Sequence, residues 1–402
     1  MTRPEPTGPR AMAVLALAGF FSAAAFRICD PLLPQLATEF ATTTGAAAYT
    51  ITVFAVAYGM LQIVWGPLGD HFGKFRMAGI ATLACAVGNI GAVFADSLTA
   101  LIVCRFIAGA TGGGIVPLAL AWIGDTVLYA HRQAALARFL TSTILGVACG
   151  QFIGGLIADT LGWRWAFGLL ACGYIVSGIL MQLESRRAVA PAGGMHAART
   201  ALPRPPFRAQ VAALLRDRWV RVVLVTVALE GAIFTGALTF VPAALHDRFG
   251  LSLTAAGATA AAFGLGAVAY TLAARRLVAG LGERGLAQGG AVVLLLAFAG
   301  LWLAPGWEVV LVGCLLSGFG FYMLHNTLQT NATQMAPAMR GTSLALFASC
   351  FFIGQSAGVA LAAQVVDYSG SAVLFMSAMI LMPLVALGFA RALRTRPAHH
   401  FS

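Results

Sequence analysis

Apolar runs of roughly twenty residues recur along the whole of this 402-residue chain. A helix needs about 20 apolar residues to cross the hydrocarbon of a bilayer, so each run is long enough to span a membrane. A soluble protein is typically about 25% charged, whereas this chain is 10% charged and 59% hydrophobic. Strands of a membrane barrel would alternate polar and apolar residues over short segments, and these runs do not. The sequence therefore predicts an all-α polytopic membrane protein whose backbone polar groups are paired within helices.

The runs predict twelve spanning helices, which we number spans 1 to 12 along the chain. An apolar run directly after a polar start is also typical of a secretion signal, but this run continues past any plausible cleavage site and so predicts span 1. The predicted ranges are 11–37, 46–68, 77–96, 98–122, 138–159, 163–184, 219–243, 253–274, 285–305, 307–330, 342–366 and 370–392.

Lysine and arginine are unevenly distributed between the loops on the two sides. Placing the N-terminus, the even-to-odd loops and the C-terminus in the cytoplasm puts 21 of the 25 basic residues there. Arg164 and Arg248 then lie outside, and Arg27 and Arg105 lie within spans. Basic loops are retained on the cytoplasmic side, so both termini are expected there, in a bacterial-type inner membrane. The same rule accounts for the net charge of +11 without a nucleic-acid partner.

The longest connection between spans is rich in Arg, Pro, Ala and Gly and divides the chain into two six-helix halves. We predict an N-terminal bundle over 1–184, a cytoplasmic linker over 185–218 and a C-terminal bundle over 219–402. The loops after spans 2 and 8 both combine glycines with basic residues, which weakly indicates a repeat. Two such halves with a substrate site between them at mid-membrane are a common transporter plan.

The loop between spans 2 and 3 carries an acid among bases and glycines. We name this set the latch motif; it comprises Gly66, Asp70, Gly73, Lys74 and Arg76. The positive-inside rule explains the bases but not the acid. Span 11 begins near Thr342 on the same side, and the positive end of its dipole is a favourable partner for Asp70. We predict that this contact holds the two halves together in the outward-facing state.

Three further motifs accompany the latch motif. Span 4 carries Arg105 followed by Gly109 and the run 112–114, and span 6 opens with Gly162, Trp163 and Arg164. Span 5 carries Gly146, Gly150, Gly154 and Gly155. In an apolar span these glycines favour close helix packing, and the run 112–114 lacks the lysine and strand of a phosphate loop.

Together these motifs resemble those of the major facilitator superfamily, in its twelve-helix drug and metabolite efflux branch. The resemblance implies two pseudo-symmetric six-helix bundles, alternating access and proton antiport, as in transporters of multidrug resistance. The antiporters of that branch have Gly-Pro in span 5 where this chain has Gly150 and Gln151. The direction of transport is therefore left open at this stage.

Ionisable residues inside the spans are few, and their cost in hydrocarbon makes each a functional hypothesis. Asp30 and Glu230 are the candidates for proton coupling, since a carboxylate that exchanges an arginine for water or substrate changes its proton affinity. Arg27 is a candidate for binding an anionic part of a substrate. Helix rise places Asp30 and Arg105 in the outer half of the membrane, and Glu230 near the level of Arg27, which suggests these two pairings. The alternative is static ion pairs that fix helix packing.

Polar uncharged residues in the spans are candidates for lining a substrate cavity beside Arg27 and Arg105. Taken singly, each is more typical of an interhelical hydrogen bond. His325 is of particular interest because an imidazole titrates near neutral pH. The candidates are Tyr58, Gln62, Gln151, Thr235, Thr239, Tyr270, His325, Asn326, Gln329 and Gln355.

These features predict a secondary active transporter that exports small amphiphilic molecules in exchange for protons. The expected partners are a small-molecule substrate, protons and the lipid bilayer, with the chain acting as a monomer. No nucleotide motif, catalytic triad or cluster of metal-ligating residues is recognisable, so we expect neither enzyme activity nor a cofactor besides the proton gradient. A proton-coupled importer or uniporter of a small, anionic solute is the first alternative. A non-transporting receptor or lipid-moving protein is the alternative from another class.

Overall fold

The computed structural model of the chain describes residues 8–187, 207–336 and 339–396. Within them, eleven helical stretches are long and apolar enough to cross a membrane. One of these, Leu253–Leu303, is interrupted at Gly282, where φ is 63° and ψ is 178°, and it therefore comprises two spans. The prediction of an all-α, twelve-helix membrane fold is confirmed. The stretches are Pro9–Glu39, Thr44–Phe72, Lys74–Val93, Leu98–Thr126, His131–Thr160, Trp163–Arg187, Arg218–Phe249, Leu253–Leu303, Trp307–Gln334, Gly341–Ser369 and Ser371–Thr395.

Glycines with positive φ end corresponding spans in the two halves. Gly73 (93°) follows span 2 and Gly282 (63°) follows span 8, while Gly162 (89°) follows span 5 and Gly370 (82°) follows span 11. Glycine enters this backbone region without the penalty that a Cβ imposes. We name the side with Gly73 and Gly282 the inner face and the side with Gly162 and Gly370 the outer face, following the orientation expected from the basic loops.

Three spans are broken near mid-membrane. Span 1 consists of a helix over Pro9–Arg27, a 3₁₀ turn over Asp30–Leu32 and a second helix over Leu33–Glu39. Span 7 changes from α-helix to π-helix directly after Glu230, over Gly231–Thr235. Span 4 is interrupted between Gly112 and Ile115, at its glycine run. Breaks of this kind mark functional positions in membrane helices more often than chance.

Part of the predicted linker is helical. The last span of the N-terminal half ends at Arg187, and a short helix over Phe207–Arg216 precedes span 7. Gln210 of this helix accepts a 2.7 Å hydrogen bond from the Thr342 hydroxyl at the start of span 11. The rest of the predicted linker, 188–206, lies outside the described residues.

The two halves meet along span 2 against span 11 and span 5 against span 8. Glycines allow the backbones to approach closely: a Cβ on Gly257 would lie 2.4 Å from the Gln151 carbonyl oxygen, and one on Gly155 would lie 2.1 Å from that of Leu253. Gln62 donates a 2.8 Å hydrogen bond across the interface to Ser349. These contacts extend from the outer face, near Gly155, into the inner half of the membrane, where Gln62 lies nearer the inner than the outer end of span 2.

Candidate functional site

Arg27 and Asp30 form an ion pair where span 1 is interrupted. Arg27 Nη1 lies 3.1 Å from Asp30 Oδ2, and Asp30 is fully buried. The end of the first helix at Arg27 and the 3₁₀ turn from Asp30 place both side chains on one side of the span. The pair therefore lies in the membrane interior on a locally irregular backbone.

Asp30 and Arg27 also contact residues of two other spans. Gln151 of span 5 donates to Asp30 Oδ2 at 3.2 Å, and Arg27 Nη1 lies 3.5 Å from the Thr239 hydroxyl of span 7, in the opposite half. The other carboxylate oxygen, Asp30 Oδ1, is buried without a hydrogen-bond partner within the described chain. One oxygen of the acid is thus paired, and the other is unsatisfied.

Glu230 forms a second buried pair, on span 7 of the C-terminal half. Its Oε2 lies 2.8 Å from His325 Nδ1 of span 10, and Glu230 is fully buried. Its Oε1, like Asp30 Oδ1, has no hydrogen-bond partner among the described residues. The π-helical turn begins at the next residue, Gly231, and changes the direction in which the later side chains of span 7 face.

The pairings suggested by helix rise are wrong for this structure. Asp30 pairs with Arg27 of its own span rather than with Arg105, and Glu230 pairs with His325 rather than with Arg27. Rise along an ideal helix estimates depth only, whereas the partner depends on which way each side chain faces.

Arg105 is bound by backbone carbonyls and aromatic faces. It donates to the carbonyl oxygens of Ala25 at 2.9 Å and Thr50 at 3.3 Å, and its guanidinium carbon lies 4.0 Å from the ring centroid of Phe54. These contacts join spans 1, 2 and 4 of the N-terminal half. This arrangement is typical of a residue that fixes helix packing, although the charge also lies near Asp30.

Aromatic rings fill the space between the two ion pairs. Phe352 of span 11 stacks on Phe26 at 5.1 Å and lies 4.8 Å from Tyr58, both of the other half. The ring of the neighbouring residue Phe351 lies 5.5 Å from that of Phe352 and 5.1 Å from the ring of His325. An aromatic cluster thus crosses the interface from the N-terminal half to the Glu230 pair. Tyr322 lies within electrostatic reach of both Arg27 and Glu230.

The other predicted cavity residues are divided between the interface, span 7 and the C-terminal half. Tyr58 and Gln62 are buried at the interface, Thr235 is buried within span 7, and Gln355 of span 11 is buried beside span 7. Tyr270 lies deeper in the C-terminal half beside Asn326. Gln329 is exposed near the inner end of span 10 and does not join the others.

Within the described residues, Asp70 of the latch motif forms no hydrogen bond or ion pair with span 11. Asp70 is 71% exposed and lies 3.2 Å from Lys74, which also pairs with Asp125 of span 4. Gly73 provides the positive-φ break, the Arg76 carbonyl accepts from Gln182, and Gly66 has open space around its Cα. The predicted contact of Asp70 with the start of span 11 is not among the interactions of the described residues, and its role in the outward-facing state stays a prediction.

Two aspartates at the outer face were not predicted. Asp367, at the end of span 11, accepts from the Thr43 hydroxyl at 2.7 Å and from the Gly45 amide at 3.0 Å. Asp159, at the end of span 5, accepts from the Thr254 amide at 2.7 Å and from the Leu253 amide at 3.2 Å. Each acid therefore caps the start of a helix in the other half. We name these two caps the outer gate.

A repeat in the sequence could have identified the outer gate. Asp159 and Asp367 each precede the positive-φ glycine of their loop by three residues, in Asp159-Thr-Leu-Gly162 and Asp367-Tyr-Ser-Gly370. Their partners also correspond, since spans 2 and 8 both begin with a serine or threonine cap, at Thr43 and Ser252.

The sequence is similar to those of known membrane transporters. A sequence profile described as Major Facilitator Superfamily matches residues 15–359. The chain is 25% identical over 40% of its length to the MFS-type transporter YybF of Bacillus subtilis, covering 40% of that protein. It is 29% identical to the multidrug export protein EmrB of Haemophilus influenzae (38% of this chain, 30% of that one). It is also 29% identical to the efflux pump FUB11 of Gibberella moniliformis (35% and 23%). The matched segments thus span well under two thirds of each relative.

Solved structures share the fold over nearly the whole chain. The POT family transporter PepTSo superimposes with a TM-score of 0.74 at 16% identity, covering 97% of this chain and 99% of that one. The nucleoside transporter NupG superimposes with a TM-score of 0.72 at 13% identity, covering 98% and 100%. At such identities the likeness concerns the fold alone.

Proposed function

The chain belongs to the major facilitator superfamily, and from this premise we propose that it exports small amphiphilic molecules in exchange for protons. Transport takes place by alternating access between the two six-helix halves. The cytoplasmic termini, the monomeric state and the bacterial-type inner membrane belong to the same proposal. The names of two relatives, a multidrug export protein and an efflux pump, support the direction of transport.

The observation that carries the proposal is the pair of buried carboxylates, Asp30 and Glu230, one in each half. Each has one oxygen paired with a basic side chain and one without a partner among the described residues. A buried charge satisfied on one side only is costly, and taking up a proton removes the charge. Separation of the halves would move Thr239 from Arg27 and thereby alter the surroundings of Asp30. Such a change in surroundings between states alters proton affinity.

The aromatic cluster supports an amphiphilic substrate. Rings of Phe26, Tyr58 and Phe352 meet across the interface beside Arg27, and flat apolar surfaces of this kind bind aromatic or hydrophobic molecules with little cost in side-chain entropy. In the state described here the rings contact each other, so a substrate would take their place when the halves rearrange.

The test is proton release by purified protein in weak buffer on addition of drugs, dyes, sugars or amino acids. We expect release on binding of an amphiphilic compound, and loss of that release in Asp30→Asn and Glu230→Gln. Asp96→Asn and Glu308→Gln are matched controls, because both acids are exposed at the outer face, Asp96 in a loop and Glu308 in the first turn of span 10. Unchanged release and unchanged gradient-driven transport in both buried variants would rule out this coupling.

A second candidate function is import or uniport of a small anionic solute. It is favoured by Arg27, a buried cation that reaches the opposite half, and by Gln151, which replaces the proline of the antiporter motif and contacts Asp30 instead. This function predicts proton uptake, or no proton change, when an anionic solute binds, and loss of binding in Arg27→Gln.

A further inference from the structure

A basic groove lies at the inner face of the C-terminal half, away from the two ion pairs. It runs between the start of span 9 and the end of span 12 and has a volume of about 320 Å³. Its lining residues are Arg284, Gln288, Leu387, Ala390, Arg391 and Arg394. Neither span contributes to the Asp30 or Glu230 pair, so the groove is a separate feature.

Helical spacing turns the basic side chains toward the same groove. Leu387, Arg391 and Arg394 follow one another at intervals of four and three residues, and Arg284 and Gln288 are four apart. Residues at these intervals share a helix face. The break at Gly282 directs the start of span 9 so that Arg284 reaches this face. Three guanidinium groups and one amide therefore converge.

The charge of the groove is not balanced by acids. Within the described chain, no carboxylate lies within ion-pair distance of Arg284, Arg391 or Arg394. The adjacent acid, Glu283, is already bound by Arg396 at 3.1 Å and by Asn331 at 3.0 Å. All three arginines are exposed, and an anion bound between them would offset their mutual repulsion.

The corresponding groove of the N-terminal half, between spans 3 and 6, is built differently. Its Lys74 pairs with Asp70 and Asp125, and Arg187 lies 4.0 Å from Glu184. Gln182 reaches across to the Arg76 carbonyl at 3.1 Å. Lys74 and Arg187 of the N-terminal groove are thus paired with acids, whereas the three arginines that line the C-terminal groove are not.

The groove continues into apolar surface exposed at the membrane side. Leu384 and Leu387 of span 12 are 60% and 36% exposed, and Leu281 beside the groove is 47% exposed. An anion bound here would thus sit at the polar end of an apolar track. This arrangement matches a phospholipid, whose phosphate and acyl chains have the same order.

We propose that this groove binds the phosphodiester headgroup of an anionic phospholipid. The planar guanidiniums of Arg391 and Arg394 donate to phosphate oxygens in pairs, with Arg284 and Gln288 closing the opposite side, while an acyl chain lies along Leu387 and Leu384. Binding connects spans 9 and 12 and therefore stabilises the C-terminal half. The proposal does not depend on the transported substrate or on proton coupling.

The test measures retention of phosphatidylglycerol and of phosphatidylcholine by native mass spectrometry, together with the unfolding temperature at increasing lipid. We expect preference for phosphatidylglycerol, and an apparent affinity about fivefold lower for each arginine changed to glutamine among the three. Arg187→Gln is the matched control and should retain the lipid. A triple Arg→Lys variant keeps the charge but loses paired donation. Its affinity for phosphatidylglycerol should lie between those of the wild type and the triple Arg→Gln variant.

Three outcomes would overturn the proposal: equal retention of the two lipids, unchanged phosphatidylglycerol binding in the triple Arg→Gln variant, or equal loss in Arg187→Gln. Inorganic phosphate at matched ionic strength is the remaining probe. If it stabilises the protein as well as phosphatidylglycerol does, the groove binds a free anion and the lipid assignment is wrong. Unfolding in neutral detergent without lipid checks that the variants remain folded.

Discussion

The Asp367 carboxylate accepts a 3.0 Å hydrogen bond from the backbone amide of Gly45, across the interface between the two halves. A Cβ on Gly45 would lie 2.4 Å from Asp367 Oδ2, so the absence of a side chain is what admits the carboxylate. Asp159 makes the equivalent contact with the start of span 8. The outer gate thus consists of two contacts between the halves, and in each of them an acid of one half caps the N-terminus of a helix in the other.

Removing the outer gate should release the outer face. Asp159→Ala and Asp367→Ala each delete a cap, and a cap contributes about 1 kcal/mol, or about fivefold in the ratio of states. We expect a longer distance between spin labels at Leu161 and Leu303, which are exposed at the outer ends of the two halves. Asp96→Ala, an exposed outer acid, should leave the distance unchanged. Equal distances in all variants would show that the caps do not hold this state.

Close packing of spans 5 and 8 leads to a second prediction. In Gly257→Ala the new methyl group would lie 2.4 Å from the Gln151 carbonyl oxygen, so the two spans must separate. We expect the same lengthening between the labels at Leu161 and Leu303. Gly124→Ala has nothing within 4 Å of the new methyl group and should leave the distance unaltered while raising helix stability by about 0.5–1 kcal/mol.

The latch motif should act in the state opposite to the one described here. Because Asp70 is mostly exposed and contacts only Lys74 by ion pairing within the described chain, Asp70→Asn should hardly change the unfolding temperature. It should lower the outward-facing population about two- to fivefold, the value of a charge at a helix N-terminus. The check is the accessibility of a cysteine introduced at the inner face, with His71→Gln as the control. A higher outward-facing population would contradict the latch.

Arg105 should matter for stability through its shape as well as its charge. Arg105→Lys keeps the charge but cannot reach the Ala25 and Thr50 carbonyls together or stack on Phe54. We expect a loss of about 1.5–3 kcal/mol in the free energy of unfolding. Arg187→Lys, in a side chain that is 68% exposed, should change it by less than about 1 kcal/mol. Denaturant unfolding in detergent measures both. An equally small change in the free energy of unfolding for both variants would mean that the contacts of Arg105 with the carbonyl oxygens contribute little to stability.

The sequence by itself determined the fold class, the twelve spans and the buried ionisable residues. Each depends on a property of individual residues or short segments: the length of an apolar run, or the cost of placing Asp30 or Glu230 in hydrocarbon. The glycine turns after spans 2 and 5 were likewise recognisable as motifs before their positive φ values were known.

The tertiary structure alone decided which groups meet. Glu230 pairs with His325 rather than Arg27, and Asp30 with Arg27 rather than Arg105, because the packing of the spans determines which side chains face each other. The outer gate depends on how closely the two halves approach at Gly45 and Gly155. Burial cost is a local quantity that the sequence carries, whereas the choice of partner depends on distances between segments far apart in the chain, which only the packed structure fixes.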